Sequence, residues 1–305
     1  MVGSREIPFV DAHIHLWDLG RLRYPWLTPP FDNAGLVGST EAIATNYLPA
    51  QYLADATRWN LMGAVHVDAG ALPEDALAET EWLEAQADAG GLPDAIVAFA
   101  QLDDPDVEAL LAAHARHPRV RGIRHIVNWH ANPFYSYTPL ELLTKPAWEQ
   151  GFAALAHHGF SFDLQAYPGQ LEAVARIAAR NPQVSIVLNH CGMPLAREAE
   201  GAAEWRRNIA HIARQPQASI KISGFGILDH AWSVESIRPY VLEAIALFGP
   251  SRCMFASDFP TDKLYASFDR VMDAYATIVA DFGIDDRRDL FGRTASRVYR
   301  LGLAI

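Results

Sequence analysis

Cysteine is scarce in this sequence, with two residues in 305, so the class of small disulfide-stabilised scaffolds is excluded. Long apolar runs are also lacking. No stretch of about 18 apolar residues could span a bilayer, and the first residues contain no apolar signal core. We therefore expect a cytoplasmic protein that does not bind a membrane.

Cations are in deficit as well, with 25 Lys and Arg against 36 Asp and Glu and a net charge of −11. Non-specific nucleic-acid binding depends on clustered cations, so the composition argues against a nucleic-acid partner. What the chain does have is apolar material for a core, since half of its residues are hydrophobic and one fifth are charged. That balance is typical of a globular protein.

Eight short apolar runs, rich in β-branched residues, alternate with longer helical patterns. Such alternation indicates repeated βα units and a parallel sheet. Eight units in a chain of this length predict a single-domain (β/α)8 TIM barrel over residues 1–305. The predicted strands are 8–15, 62–68, 95–101, 121–127, 160–165, 185–190, 219–223 and 253–257.

Apolar residues spaced three and four apart predict helices between the strands, including 74–89, 146–158 and 171–181. Gly90 and Gly159 are expected to end two of them, because glycine tolerates the left-handed conformation at a helix C-terminus. The two cysteines are expected at opposite ends of the barrel and unpaired, since one follows strand six and the other begins strand eight.

Two long loops, 17–48 after strand one and 129–145 after strand four, leave from the strand ends where barrel enzymes build their sites. Both are rich in aromatic residues, and we expect them to wall or cover a substrate, with Trp26 as a candidate contact. The alternative for each aromatic is an ordinary loop anchor. The aromatics are Trp17, Tyr24, Trp26, Phe31, Trp129, Phe134, Tyr135 and Tyr137.

Four polar residues lie at the predicted carboxyl ends of three strands. His13 and His15 alternate on strand one and therefore point the same way, while His190 closes strand six and Asp258 closes strand eight. A buried His or acid costs desolvation unless it is paired, bound to metal or used in catalysis. Each alone could be a polar group satisfied by the backbone, but the set predicts one catalytic site.

Six motifs are spread along the whole chain: 11–17 (DAHIHLW), 24–26 (YPW), 121–125 (RGIRH), 189–194 (NHCGMP), 221–224 (KISG) and 248–260 (FGPSRCMFASDFP). Together they resemble the amidohydrolase superfamily, of the amidohydrolase-2 type. Within it they are most similar to the group of fuconolactonase and pyrone dicarboxylate lactonase, which open cyclic esters. The resemblance implies a hydrolase acting on a sugar lactone or a carboxylated aromatic-pathway lactone.

One departure concerns metals. Many members of the superfamily place a carboxylated Lys on strand four and a His at the end of strand five, where this chain has Arg124 and Gln165. The resemblance therefore implies at most one divalent ion, with Zn²⁺ first. The expected ligands are His13, His15, His190 and Asp258. A reaction without metal is the alternative.

The predicted mechanism uses Asp258 as general base on the attacking water, with the histidines or a bound ion polarising the lactone carbonyl. Arg124 is expected to bind a substrate carboxylate or hydroxyl, and the alternative is an internal ion pair with a partner such as Asp163. Further candidate substrate contacts are His125, Gln165, His66 and Lys221. A core histidine is the alternative for His66.

Two other functions stay open: a metal-dependent decarboxylase of aromatic or unsaturated acids, and a barrel retained for binding alone. The partner expected is a small-molecule substrate, and a homo-oligomer is compatible with the sequence. Polar loop residues suit both sugar hydroxyls and substrate carboxylates. They are Arg21, Arg23, Asn33, Asn128 and Lys145.

Overall fold

The computed structural model describes residues 4–32 and 35–305, so Asn33 lies outside the described residues. Eight parallel strands form one sheet, and their order follows the sequence from β1 to β8. The strands are β1 (Phe9–Ile14), β2 (Leu61–Val67), β3 (Ala95–Phe99), β4 (Val120–Arg124), β5 (Ser161–Leu164), β6 (Ile186–Leu188), β7 (Ala218–Ile222) and β8 (Cys253–Phe255).

The sheet closes between β1 and the residues that follow β8. The amide of Asp258 donates to the carbonyl of His13 at 2.9 Å, and the amide of His15 donates to the carbonyl of Phe259 at 2.8 Å. Below them, the carboxylate of Asp11 accepts the amide of Ser257 at 2.9 Å. The predicted (β/α)8 barrel is confirmed, and its seam passes beside two of the predicted site residues.

Helices connect the strands and cover the barrel. The predicted helix 146–158 is confirmed, and Gly159 ends it with a φ of +64°. The predicted end at Gly90 is wrong by one residue, since Gly91 takes the left-handed conformation. The helices are α1 (Pro49–Asp55), α2 (Ala76–Gly90), α3 (Val107–His114), α4 (Pro146–His158), α5 (Leu171–Arg180), α6 (Ala199–Ala213), α7 (Phe225–Leu228), α8 (Val234–Phe248), α9 (Phe268–Ile278), α10 (Ile284–Arg288) and α11 (Thr294–Val298).

The two cysteines are free and buried, and they do not lie at opposite ends of the barrel. Their sulfurs are each 3.7 Å from a carbonyl of α8, Cys191 from Tyr240 and Cys253 from Ala244. Those carbonyls are one helical turn apart, about 5–6 Å along the axis. The expectation failed because the chain turns sharply after β6, where Cys191 has a φ of +53°.

The strands that carry the site are shorter than predicted. β6 ends at Leu188 and β8 at Phe255, so His190 and Asp258 lie on the loops that follow. Their φ values are +50° and +58°, a region that residues other than glycine rarely adopt. Such strain clusters where surrounding structure holds a functional group in place. None of the described helices is long and apolar enough to cross a membrane.

Candidate active site

Three side chains converge where the barrel closes. The Nε2 atoms of His13 and His15 are 3.2 Å apart, and they lie 3.5 and 3.3 Å from the same carboxylate oxygen of Asp258. All three residues are buried. The structure therefore brings together three of the four residues expected to bind a metal.

A register shift in β1 aims the two histidines. Phe9 and Asp11 point toward the helices, where the Asp11 carboxylate accepts the hydroxyl of Tyr52 at 2.9 Å. Strict alternation would send His13 the same way, but the pairing with β2 shifts between Asp11 and Ile14. This local irregularity turns His13 and His15 toward the barrel axis. The equal direction of the two histidines is confirmed, although simple alternation along the strand does not produce it.

One hydrogen bond fixes the ring of His15. Its Nδ1 lies 2.7 Å from the carbonyl of Val67, and only a protonated Nδ1 can donate to that oxygen. The Nε2 of His15 is then left with its lone pair facing Asp258. A backbone carbonyl that holds one imidazole nitrogen is the usual arrangement for orienting a metal-binding histidine.

The three donors fit a single divalent ion. Zinc binds nitrogen and oxygen ligands at about 2.0–2.2 Å, so two ligands of a tetrahedral site lie about 3.3–3.6 Å apart. The three separations here, 3.2, 3.3 and 3.5 Å, match one face of such a site. Both carboxylate oxygens of Asp258 also lack a hydrogen-bond partner in the described part of the chain. His13, His15 and Asp258 thus form the one group of metal-binding geometry among the described residues.

His190 lies beside this group without belonging to it. Its Nδ1 is 3.2 Å from the hydroxyl of Ser223 and 3.9 Å from the second carboxylate oxygen of Asp258. Gly224 makes room for the ring, because a Cβ there would come within 2.4 Å of Nδ1. The placement of His190 does not support its expected role as a fourth protein ligand.

Charge in the site is concentrated on Asp258. Burial acts to raise the pKa of Asp258, yet His190, His15 and Arg124 together hold it below its ordinary value. Burial lowers the pKa of His190 to about 4 in spite of Asp258, and burial with Lys221 and His190 lowers that of His13 well below its usual range. Neutral imidazoles beside an ionised carboxylate are the protonation states that metal binding requires.

A cavity of about 790 Å³ opens above these groups. His15, His190 and Asp258 border it from the barrel, and both long loops supply its walls. Trp26 lines the cavity, held by a hydrogen bond from Nε1 to the carbonyl of Ala69 at 2.7 Å. The expectation that the two aromatic loops enclose the space above the strand ends is confirmed. Other lining residues are Asp32, Val37, Thr40, Ile126, Phe134, Tyr137, Ile227 and Thr261.

Arg124 and Gln165 form one side of the same cavity. The Nε of Arg124 donates to the Asp68 carboxylate at 2.5 Å, and a terminal nitrogen donates to the Asp68 carbonyl. The other terminal nitrogen faces the Gln165 side-chain oxygen at 3.4 Å. The alternative of an internal ion pair is confirmed, with Asp68 as the partner, since Asp163 faces Lys221 at 2.6 Å. Arg124 lines the cavity while it is paired with Asp68.

Three expected substrate contacts do not line the cavity. His125 points toward the helices, where its Nδ1 accepts from the amide of Leu102 and the indole of Trp148. His66 accepts the amide of Leu16 and lies on the opposite face of β2 from the valines on either side of it. Lys221 is fully buried lower in the barrel in its ion pair. These positions correct the three predictions and support the core alternative for His66.

Glu79 was missed by sequence reasoning. It lies on α2, 2% exposed, and one of its oxygens accepts the hydroxyl of Tyr24 at 3.1 Å and the amide of Ala69 at 3.3 Å. Burial and the charge of Asp68 raise the pKa of Glu79 to about 8. A glutamate on a surface helix carries no signal of burial, so only the packed structure reveals it behind Asp68.

A second groove of about 820 Å³ lies between α6 and α8, far from this site. Four of its charged residues form two ion pairs, Arg197 with Asp229 and Arg206 with Glu243. None of the three metal-compatible residues lines that groove.

The chain is similar to known proteins along almost its whole length. Residues 10–301 match the amidohydrolase family model. An uncharacterized protein of Sinorhizobium fredii is 41% identical over 97% of this chain and 99% of that protein. The L-fucono-1,5-lactonase of Burkholderia multivorans is 27% identical over 96% of each chain. The crystal structure of an amidohydrolase from Burkholderia multivorans with bound zinc is 26% identical, with a TM-score of 0.79 over 96% of this chain and 99% of that one.

Proposed function

The chain belongs to the amidohydrolase family, and we propose that it opens a lactone ring by attack of water on the ring carbonyl. The observation that carries the proposal is the buried Asp258 carboxylate, which has no hydrogen-bond partner in the described ranges and borders the cavity. A relative named L-fucono-1,5-lactonase, similar over nearly its full length, supports a lactone as substrate.

Asp258 acts as the base. Its pKa is held below the ordinary value, so the carboxylate is ionised at neutral pH and can accept a proton from water. The water oxygen then bonds to the carbonyl carbon, and the bond from that carbon to the ring oxygen breaks. The proton held by Asp258 passes to the ring oxygen, which leaves a hydroxy acid and restores the carboxylate.

The Nε2 atoms of His13 and His15 and a carboxylate oxygen of Asp258 would hold the divalent ion, with Zn²⁺ first. When bound, such an ion supplies Lewis-acid polarisation of a carbonyl and a lowered pKa of water. His190 borders the cavity as a neutral imidazole, which has one N–H to donate to a substrate oxygen. We assign His190 to substrate binding near the carbonyl.

The cavity favours a neutral polyhydroxy lactone over a multiply carboxylated one. Arg124 is the one Lys or Arg among the described residues that line it, and Asp68 already balances that charge. Asp32 and Asp258 line the same cavity and would repel further carboxylates. Arg124 and Gln165 together offer donors and an acceptor suited to hydroxyl groups. A sugar lactone is therefore the substrate class that we propose.

The test is a panel of sugar lactones and carboxylated pyrones, with acid release followed by pH change and bound metal measured before and after chelation. We expect turnover of sugar lactones that falls by roughly 10²–10⁴-fold in Asp258→Asn, the range associated with loss of a general base. Asp285→Asn is a matched control, since Asp285 is exposed and remote from the cavity. Failure on every lactone together with release of CO2 from aromatic acids would establish the decarboxylase instead.

A further inference from the structure

Tyr137 lies where the second aromatic loop crosses the cavity. It shares the cavity wall with Asp258 and Arg124, and its side chain is 40% exposed at the mouth. No notable sequence motif contains it. Its position relative to the charged groups of the site is therefore a property of the folded loop.

The backbone around Tyr137 is hydrogen-bonded to the segment that follows β4. The amides of Tyr137 and Thr138 both donate to the carbonyl of Asn128, at 3.0 and 3.3 Å. The hydroxyl of Thr138 donates to the carbonyl of Leu140 at 2.9 Å, which closes the next turn. Tyr137 is thus held over the cavity by bonds that do not involve its own hydroxyl.

That hydroxyl makes no hydrogen bond to any residue within 4–32 and 35–305. A tyrosine hydroxyl has an ordinary pKa of about 10, so it is protonated at neutral pH. Tyr137 therefore presents a neutral O–H donor to the cavity that Asp258 and Arg124 also line.

Several other donors of the cavity wall are already engaged. The indole of Trp26 donates to a backbone carbonyl, and the hydroxyl of Thr40 donates to the carbonyl of Trp26. Two of the guanidinium nitrogens of Arg124 are occupied by Asp68. A hydroxyl that is positioned, protonated and without a partner is available for a substrate oxygen.

We propose that Tyr137 is a further catalytic residue, whose hydroxyl donates a hydrogen bond to the lactone ring oxygen as the acyl carbon–oxygen bond breaks. The proposal rests on the lactonase function. When that bond breaks, its electron pair stays on the ring oxygen, which receives the proton from Asp258. The tyrosine stabilises the developing negative charge and keeps its own proton, so it is unchanged at the end of the step.

The experiment compares a sugar 1,5-lactone that wild type hydrolyses with the matching thiolactone, whose ring sulfur leaves as a stable thiolate. Loss of a hydrogen bond to the departing oxygen matters for the lactone and little for the thiolactone. We expect Tyr137→Phe to lower kcat on the lactone by ~10²-fold, the scale of one lost oxyanion donor, while kcat on the thiolactone changes by less than ~3-fold.

Tyr135→Phe is the matched control, because Tyr135 belongs to the same loop but does not line the cavity. It should leave both rates unchanged. Equal loss on both substrates in Tyr137→Phe, a change in KM alone, or no change would overturn the role of Tyr137 while the lactonase function stands. Absence of wild-type turnover on any lactone is a separate result, which would overturn the proposed function and this role together.

Discussion

Lys221 and Asp163 lie inside the same barrel as Asp258, and all three are buried, but the two regions treat their charges differently. The Lys221 ammonium is 2.6 Å from Asp163, and the hydroxyl of Tyr299 donates to the same carboxylate at 3.0 Å. Asp258 instead has histidine nitrogens 3.3 and 3.5 Å away and no hydrogen-bond partner in the described ranges. We call Lys221, Asp163 and Tyr299 the lower cluster, and Asp258 with His13 and His15 the upper cluster.

The difference indicates which buried charges serve the fold and which serve function. A buried charge is tolerated when it is paired and hydrogen-bonded, and the lower cluster meets that condition with protein groups alone. The upper cluster leaves donors and acceptors to be satisfied by an ion, water or substrate. The backbone strain at Asp258 also has no counterpart in the lower cluster.

The largest difference between the clusters is expected when one charge is removed from each. Lys221→Met leaves Asp163 buried without its cation, so we expect the free energy of unfolding to fall by about 3–5 kcal/mol. Asp258→Asn removes a charge that lacks a hydrogen-bond partner, and we expect little loss of stability. Urea denaturation of both variants measures the two changes. Equal destabilisation would mean that the clusters have the same structural role.

A second prediction concerns Zn²⁺, which should stabilise through the upper cluster alone. A ligand at 100 times its Kd raises the free energy of unfolding by about 2.7 kcal/mol. We expect added Zn²⁺ to produce this rise in wild type and in Lys221→Met after metal has been removed by chelation. We expect no such rise in His15→Gln. Urea denaturation midpoints with and without added Zn²⁺ measure this change. A rise that persists in His15→Gln would place the ion elsewhere.

The sequence predicts which side of the sheet a strand residue points to better than it predicts how deep in the barrel that residue lies or which residue it pairs with. β-branched runs located all eight strands, and the structure brings together His13, His15 and Asp258 of the four residues grouped from the sequence. Lys221 does point inward as alternation requires, but alternation does not tell how far below the cavity a residue lies. That is why an ion-paired core lysine was expected to be a substrate contact.

Partners across the barrel were harder to predict, because they depend on stagger between strands distant in sequence. Arg124 pairs with Asp68, which follows β2, rather than with Asp163 of its neighbour β5. The shift in β1 between Asp11 and Ile14 likewise depends on pairing with β2. Neither feature has a local sequence pattern, so both appear only when the barrel is assembled.

Glu79 combines a property of each cluster. It is buried and hydrogen-bonded like the lower cluster, but it has no cation of its own. Its pKa is raised to about 8 in the folded chain, against about 4.3 when exposed. The folded state thus binds the proton more tightly. The resulting stability is present below about pH 4.3 and is lost as the pH rises through about 8.

We therefore expect the free energy of unfolding to decline from pH 5 to pH 8, because the folded chain keeps a proton on Glu79 that the unfolded chain has released. Glu79→Gln keeps an oxygen that can accept from Tyr24 and Ala69 but cannot ionise, so its decline should be shallower. Urea midpoints at several pH values measure both slopes. Identical slopes would show that Glu79 is already ionised at neutral pH. Its charge would then lie beside Asp68 and be part of the electrostatic balance that holds Arg124 in the cavity wall.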